Sequence, residues 1–110
     1  MKAVKAMVAI LAIGAAAWFV YHTMMARGTA GLNNQASALL DQNKFAEARD
    51  LLEQARLRDP GNPIIWKNLA IAYEGLKNSA KAIEAYERSI ALNASQTDLR
   101  DHVAILKKNK

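Results

Sequence analysis

The sequence predicts an all-α protein: an apolar N-terminal helix of membrane-spanning length, two tandem helical hairpins, and a closing C-terminal helix. Three observations support this fold class. Residues 6–26 contain no Asp, Glu, Lys or Arg. The sequence after residue 28 matches itself at an offset of 34 residues, a period typical of stacked helical hairpins. Apolar residues recur at i, i+3, i+4 and i+7 along each unit, as on one face of a helix.

Composition excludes several classes of protein. With 52% hydrophobic and 23% charged residues, the 110-residue chain is not a disordered polyelectrolyte. Of its formal charge of +5, +3 lies in residues 1–30, and no stripe of basic and aromatic residues follows, so we expect no nucleic-acid binding. The absence of cysteine rules out disulfides, thiol nucleophiles and thiolate-bound metals.

The N-terminal element, residues 1–28, is predicted to be a membrane anchor. As a helix, residues 6–26 would rise ~30 Å, the thickness of the hydrocarbon core of a bilayer. Trp18 lies near the far end of this run, where aromatic rings favour the membrane interface, and Arg27 closes it. Two alternatives stay open, a signal peptide cleaved after Ala17 or Ala30 and a buried core helix.

The charges beside the apolar run predict its orientation. The amino terminus, Lys2 and Lys5 outweigh Arg27 at the other end. Positive flanks favour the cytoplasm. We therefore expect a single-pass protein of the bacterial inner membrane with a cytoplasmic N-terminus and a periplasmic repeat domain.

The two hairpins are predicted to occupy residues 29–62 and 63–96. In the first unit we expect helices over about 32–42 and 44–58, with Gln35 on the inner face and Asn43 forming the turn and capping the second helix. In the second unit we expect helices over about 63–76 and 80–92, with Asn62 as cap and Pro63 at the first position.

Residues 97–110 are predicted to form a closing helix and a basic tail. Ser95 and Asp98 make an S-x-x-D capping signal, and Leu99, Val103 and Leu106 follow at helical spacing. Such a helix covers the apolar face that the last hairpin would otherwise expose.

These residues resemble the tetratricopeptide repeat family. Trp66, Leu69, Tyr73, Ala82 and Tyr86 of the second unit stand at the family's large and small positions. The first unit matches at Leu32, Leu39, Ala48, Leu52, Ala55 and Pro60, whereas Ala36 and Ala70 replace the usual glycine.

The resemblance implies a protein-interaction scaffold in which the first helix of each hairpin lines a concave, partner-binding face. The positions carried over to that face are Asn33, Ser37, Leu40, Ile64, Lys67, Asn68, Ile71, Glu74, Asp101 and Ile105.

The chemistry of these positions predicts the kind of ligand. One subgroup of the family holds an acidic C-terminal carboxylate, and Asn68 matches its central Asn. Asn33, Asp98 and His102, however, stand where that subgroup has Lys or Arg. We therefore predict an apolar or amphipathic segment as ligand. The alternative is that some of the apolar groups pack only on neighbouring helices.

No catalytic motif is found, and the two histidines, His22 and His102, lie in different modules. We therefore expect no enzyme activity, no cofactor and no metal site. The predicted function is that of a membrane-anchored adaptor in assembly of an envelope complex. The alternatives are a small structural subunit of a larger membrane complex and a cleaved, secreted periplasmic repeat protein.

Two hairpins are fewer than the about three units that such arrays usually need. The missing cover could come from self-association, from a partner subunit, or from a first helix that runs on from the membrane helix. We therefore expect a homo- or hetero-oligomer.

Overall fold

The computed structural model describes the backbone of residues 2–109 and the side chains of residues 14–20 and 28–109. This part of the chain is all-α, as predicted, and its five helices are α1 (Lys2–Asp41), α2 (Phe45–Arg58), α3 (Pro63–Gly75), α4 (Ser79–Leu92) and α5 (Thr97–Lys108). Helices α1 and α2 form the first hairpin, α3 and α4 form the second, and α5 packs on α4.

Small residues allow close packing in both hairpins. Ala36, Ala48, Ala70 and Ala82 are fully buried, as their alignment predicts. Without a larger side chain between them, paired helices can approach closely. Gln35 is exposed, so its predicted inward position is wrong. A buried amide would need hydrogen-bond partners, whereas the edge of α1 leaves it in water.

The backbone repeats with the same period as the sequence. Asn43 and Lys77, 34 residues apart, both adopt positive φ angles, 59° and 64°. After each, an N–H reaches back over the helix end, from Lys44 to Leu39 O at 2.8 Å and from Asn78 to Tyr73 O at 2.9 Å. Both first helices thus end in a Schellman motif. The predicted turn at Asn43 is confirmed, but its capping role is wrong, because Lys44 occupies the N-cap of α2.

The start of α3 is confirmed and that of α5 is not. Asn62 Oδ1 accepts a hydrogen bond from the Ile64 N–H at 3.0 Å, and Pro63 begins α3. The predicted Ser95–Asp98 capping box does not form, because the Ser95 hydroxyl donates to Asn93 Oδ1 at 2.6 Å.

Gln96 takes the N-cap of α5 instead. It stands 34 residues after Asn62, so the repeat period locates this start better than the local motif. Its side-chain amide donates to Ser89 O at 3.0 Å and to Asn93 O at 3.1 Å.

Helix α1 is continuous through the predicted border at residue 28. The expected separate helix starting near Leu32 is therefore wrong, and of the three ways to extend the short array, the structure shows a first helix that runs on. Gly28 and Gly31 each cost about 1 kcal/mol in a helix interior, but no proline interrupts the segment. At Gly28 an added Cβ would lie 3.4 Å from Arg58 Nη1, so α2 passes close to α1 here.

The N-terminal part of α1 is described only over residues 14–20, and all seven side chains there are exposed. The rest of the predicted span, residues 6–13 and 21–26, lies outside the described side chains. Among the described residues, no helix is long and apolar enough to cross a membrane.

Candidate functional site

The predicted partner-binding residues of α3 share one side of that helix. Ile64, Lys67, Asn68, Ile71 and Glu74 follow each other at spacings of three and four residues. Such spacings place side chains above one another on a helix. Leu69, Ala70 and Tyr73 lie toward the core. We call the surface formed by the ten predicted residues of α1, α3 and α5 the groove face.

Asn33 and Asn68 join α1 to α3 across the groove face. The Asn68 Nδ2–H donates to Asn33 Oδ1 at 3.0 Å, and both side chains are half-buried. This bond uses one donor of Asn68 and leaves its amide oxygen available as an acceptor. The same residue that matched the carboxylate-binding subgroup is thus engaged with a neutral amide instead of a cation.

Glu74 joins α3 to α4 and α5. Its carboxylate accepts a hydrogen bond from the Tyr86 hydroxyl at 2.7 Å and lies 3.0 Å from His102 Nε2. The imidazole also meets the Tyr86 ring edge to face, with the centroids 5.3 Å apart. Burial, followed by the hydrogen bond to Glu74, raises the pKa of Tyr86 well above its usual value. Glu74 therefore holds the closing helix in place, and this limits what it can offer a partner.

Leu40 and Ile71 are half-buried and pack against the core, so at these two positions the packing alternative is confirmed. Ile64 and Ile105 are different, with 57% and 55% of their surface exposed. Ser37, Lys67 and Asp101 are also exposed. The freely accessible groups of the groove face are therefore two isoleucines, one hydroxyl, one cation and one carboxylate.

Lys67 also lines a cleft with Ser95, Gln96, Thr97, Asp98 and Leu99, at the start of α5. Asp98 and Asp101 are exposed and have no ion-pair partner among the described residues. Lys67 is the one basic residue among the ten predicted positions, whereas Glu74 and Asp101 are acidic. The groove face thus lacks the cluster of cations that an acidic ligand would require.

His102 was missed as a structural residue, because the sequence analysis used it only to argue against carboxylate binding. Ser89 was missed altogether. It is fully buried on α4, and its hydroxyl donates to Pro63 O at 2.8 Å. A small polar residue on the inward face of α4 was the available signal, since a buried hydroxyl needs a partner. Within the described residues, no group of three potential ligands could hold a metal ion.

Comparison with known proteins agrees with this architecture. The model of the tetratricopeptide repeat matches residues 33–97, more than half of the chain. Among solved structures, the chain resembles the first such domain of Spaghetti (RPAP3), which was solved bound to the HSP90 peptide SRMEEVD. The two are 28% identical, the match covers 76% of this chain and 70% of that one, and the TM-score is 0.68. No curated protein matches at the same significance.

Both comparisons fall on the hairpins, where the buried alanines and tyrosines occupy corresponding positions of the two units. The fold is that of a protein–protein interaction module, generally without enzyme activity. The chain belongs to the tetratricopeptide repeat family.

Proposed function

We propose that this protein is a single-pass adaptor of the bacterial inner membrane whose periplasmic groove face holds an apolar or amphipathic segment of a partner protein. It would do so during assembly of an envelope complex. The observation that carries the proposal is the exposure of Ile64 and Ile105 beside polar groups. Exposed apolar groups with a polar surround are typical of protein-binding surfaces.

The position of Ile105 supports one shared surface. On α5, Leu99, Val103 and Leu106 pack inward. Asp98, Asp101 and Ile105 fall on another side, together with His102, at 100° per residue. Because His102 contacts Glu74 of α3, that side of α5 adjoins the predicted side of α3.

The ligand of the solved relative does not transfer directly. The peptide SRMEEVD carries three acidic residues. The groove face here offers one lysine against two carboxylates, so an acidic ligand would meet net repulsion. An amphipathic segment could place apolar side chains on the isoleucines and cations near Asp98 and Asp101.

Partner recovery tests the groove. The double substitution Ile64→Ser and Ile105→Ser is compared with Leu57→Ser, since Leu57 is 73% exposed on α2 and lies outside the groove face. After crosslinking in intact membranes, we expect the double variant to lose a partner that the Leu57 variant retains. Equal recovery of that partner with both variants would contradict the groove assignment.

The anchor is supported by the described part of the apolar run. Trp18 and Phe19 are 65% and 64% exposed, and every residue from 14 to 20 is apolar or glycine. A bilayer would cover these side chains. Anchoring would also hold the module close to membrane partners, with which it would form an oligomer.

Alkaline extraction and N-terminal sequencing test the anchor. We expect the protein to stay with the membrane at high pH and to begin at residue 1 or 2. A soluble chain that begins at residue 18 or 31 would favour the secreted, cleaved alternative. For orientation, a protease added to spheroplasts should remove a C-terminal tag.

A further inference from the structure

A second surface lies on the other side of α3. Trp66, Leu69 and Tyr73 point away from Lys67 and Ile71, since each residue turns the helix by 100°. They form the floor of a cleft of about 250 Å³ where α2, α3 and α4 meet. We call this the aromatic cleft, and its lining residues are Glu53, Arg56, Trp66, Leu69, Tyr73, Lys81, Glu84 and Ala85.

Three cations lie over its aromatic rings. The guanidinium groups of Arg56 and Arg88 lie 5.3 Å and 5.9 Å from the centre of the Trp66 ring. Lys81 Nζ lies 5.3 Å from the centre of the Tyr73 ring. The Trp66 ring is itself fixed, because its Nε1–H donates to Pro60 O at 2.8 Å. A guanidinium held against a fixed ring loses side-chain freedom in advance, while its N–H groups remain available for carboxylate oxygens.

Glu53, one of the two acidic lining residues, is already used inside the protein. It accepts hydrogen bonds from the Tyr73 hydroxyl and from Arg56 Nε, both at 2.6 Å. Burial alone would raise the pKa of Glu53, but the hydrogen bonds from Tyr73 and Arg56 outweigh burial and lower that pKa. Glu53 therefore stays ionised and balances Arg56.

Lys81 and Arg88 keep their charge available. Within the described part of the chain, neither has a carboxylate at ion-pairing distance. Glu84 lies between them in sequence on α4, also without an ion-pair partner there, and weakens the positive potential. Two uncompensated cations against one carboxylate leave the open part of the cleft positive.

The cleft continues along α3. A neighbouring hollow shares Tyr73 and Lys81 with it and adds Arg49, Leu76 and Asn78. Arg49 pairs with Asp50 at 3.0 Å, an exposed pair that water and salt screen. The surface is thus elongated, with basic groups along its length, as a peptide segment requires.

We propose that the aromatic cleft is a second protein-binding site, which takes an acidic peptide segment whose carboxylates bind Lys81 and Arg88. The charges that make the groove face unsuited to such a segment are absent here. The two sites would let one small module join two partner segments of opposite charge. This site requires neither the membrane anchor nor a ligand on the groove face.

The test is a titration of the ¹⁵N-labelled full chain, in zwitterionic detergent micelles, with the peptide SGEEEGS. We expect saturable NMR shifts of the Trp66 indole N–H and of amides around Lys81 and Arg88. A substitution of Trp66 by Phe assigns its indole signal against that of Trp18. The lysine peptide SGKKKGS is the matched control and should leave these signals unmoved.

Substitutions of opposite sign sharpen the titration. Lys81→Gln and Arg88→Gln should each weaken the acidic peptide by about threefold, the size of one exposed ion pair. Glu84→Gln should strengthen it by a similar factor, and Lys67→Gln on the groove face should change nothing. Thermal melts of each variant check that the hairpins remain folded.

The proposal is overturned if SGEEEGS shifts only groove-face residues or no residues at all. It is equally overturned if SGKKKGS shifts the cleft, or if Arg88→Gln binds the acidic peptide as tightly as the unmodified protein. Neither result would bear on the groove face, which is tested by partner recovery.

Discussion

The two sides of α3 differ in what they contact. One side carries Leu69, Ala70 and Tyr73, which are buried between the hairpins. The other carries Ile64 and Lys67, which contact mainly water. The residues that identify the family are on the buried side, so they explain why the chain folds as it does. The residues that could select a partner lie outside the family pattern, and family membership alone therefore does not fix the ligand.

The largest expected difference between the two sides is in stability. Leu69 is 2% exposed, so Leu69→Ala should destabilise the fold by roughly 2–5 kcal/mol through lost burial and a cavity. Ile64→Ala should change the free energy of unfolding by no more than about 0.5 kcal/mol, as is usual for surface positions. Urea unfolding of the full chain in micelles, followed by circular dichroism, compares them. Equal losses would erase the distinction between the sides.

A glycine near the end of α3 tests how tightly the hairpins meet. A methyl group at Gly75 would overlap the ring of Phe45. Overpacking costs about 1–3 kcal/mol, and the gain in helix propensity of up to about 1 kcal/mol offsets only part of it. We expect Gly75→Ala to lower the melting temperature.

Gly61→Ala is the matched control, since an added Cβ there meets nothing within 4 Å. It should leave the melting temperature unchanged or raise it slightly. A Gly75 variant as stable as this control would show that the Phe45 ring moves aside without cost.

Tyr73 tests the polar link on the buried side. Burial, followed by the hydrogen bond to Glu53, raises its pKa from 10.0 to about 12. A group whose pKa is raised on folding contributes stability below its unfolded pKa and loses it as pH rises through the folded value. The protein should therefore lose stability between pH 10 and about pH 12.

Tyr73→Phe should cost about 1 kcal/mol at neutral pH, where one hydrogen bond is lost, and should flatten the profile at high pH. Urea midpoints measured from pH 7 to pH 12 provide the check. A variant whose midpoint falls as steeply as that of the unmodified protein would assign the alkaline loss to other groups.

Much of the repeat fold could be predicted because the period constrains every position twice. Ala48 and Ala82 identify each other, and so do the turns at Asn43 and Lys77, although the lysine alone gives no turn signal. Local motifs were weaker guides. The Ser95–Asp98 signal was outcompeted by Gln96, whose amide binds two carbonyl oxygens of the preceding helix end.

The site was harder to predict because its state depends on partners from other helices. The sequence places Glu74 and Asn68 on the correct side of α3 but cannot show that His102 and Asn33 already engage them. Leu40 and Ile64 look alike in sequence, yet only Ile64 is largely exposed, because Leu40 packs against the core.

Site-specific photocrosslinking in membranes tests the central claim most directly. A benzoylphenylalanine at position 64 is compared with one at position 57, because both native side chains are apolar and mostly exposed. We predict that position 64 yields a discrete crosslinked protein that position 57 does not, and that Lys67→Glu in the same chain reduces its yield. Identical crosslinks from the two positions, or none from position 64 alone, would contradict a partner on the groove face.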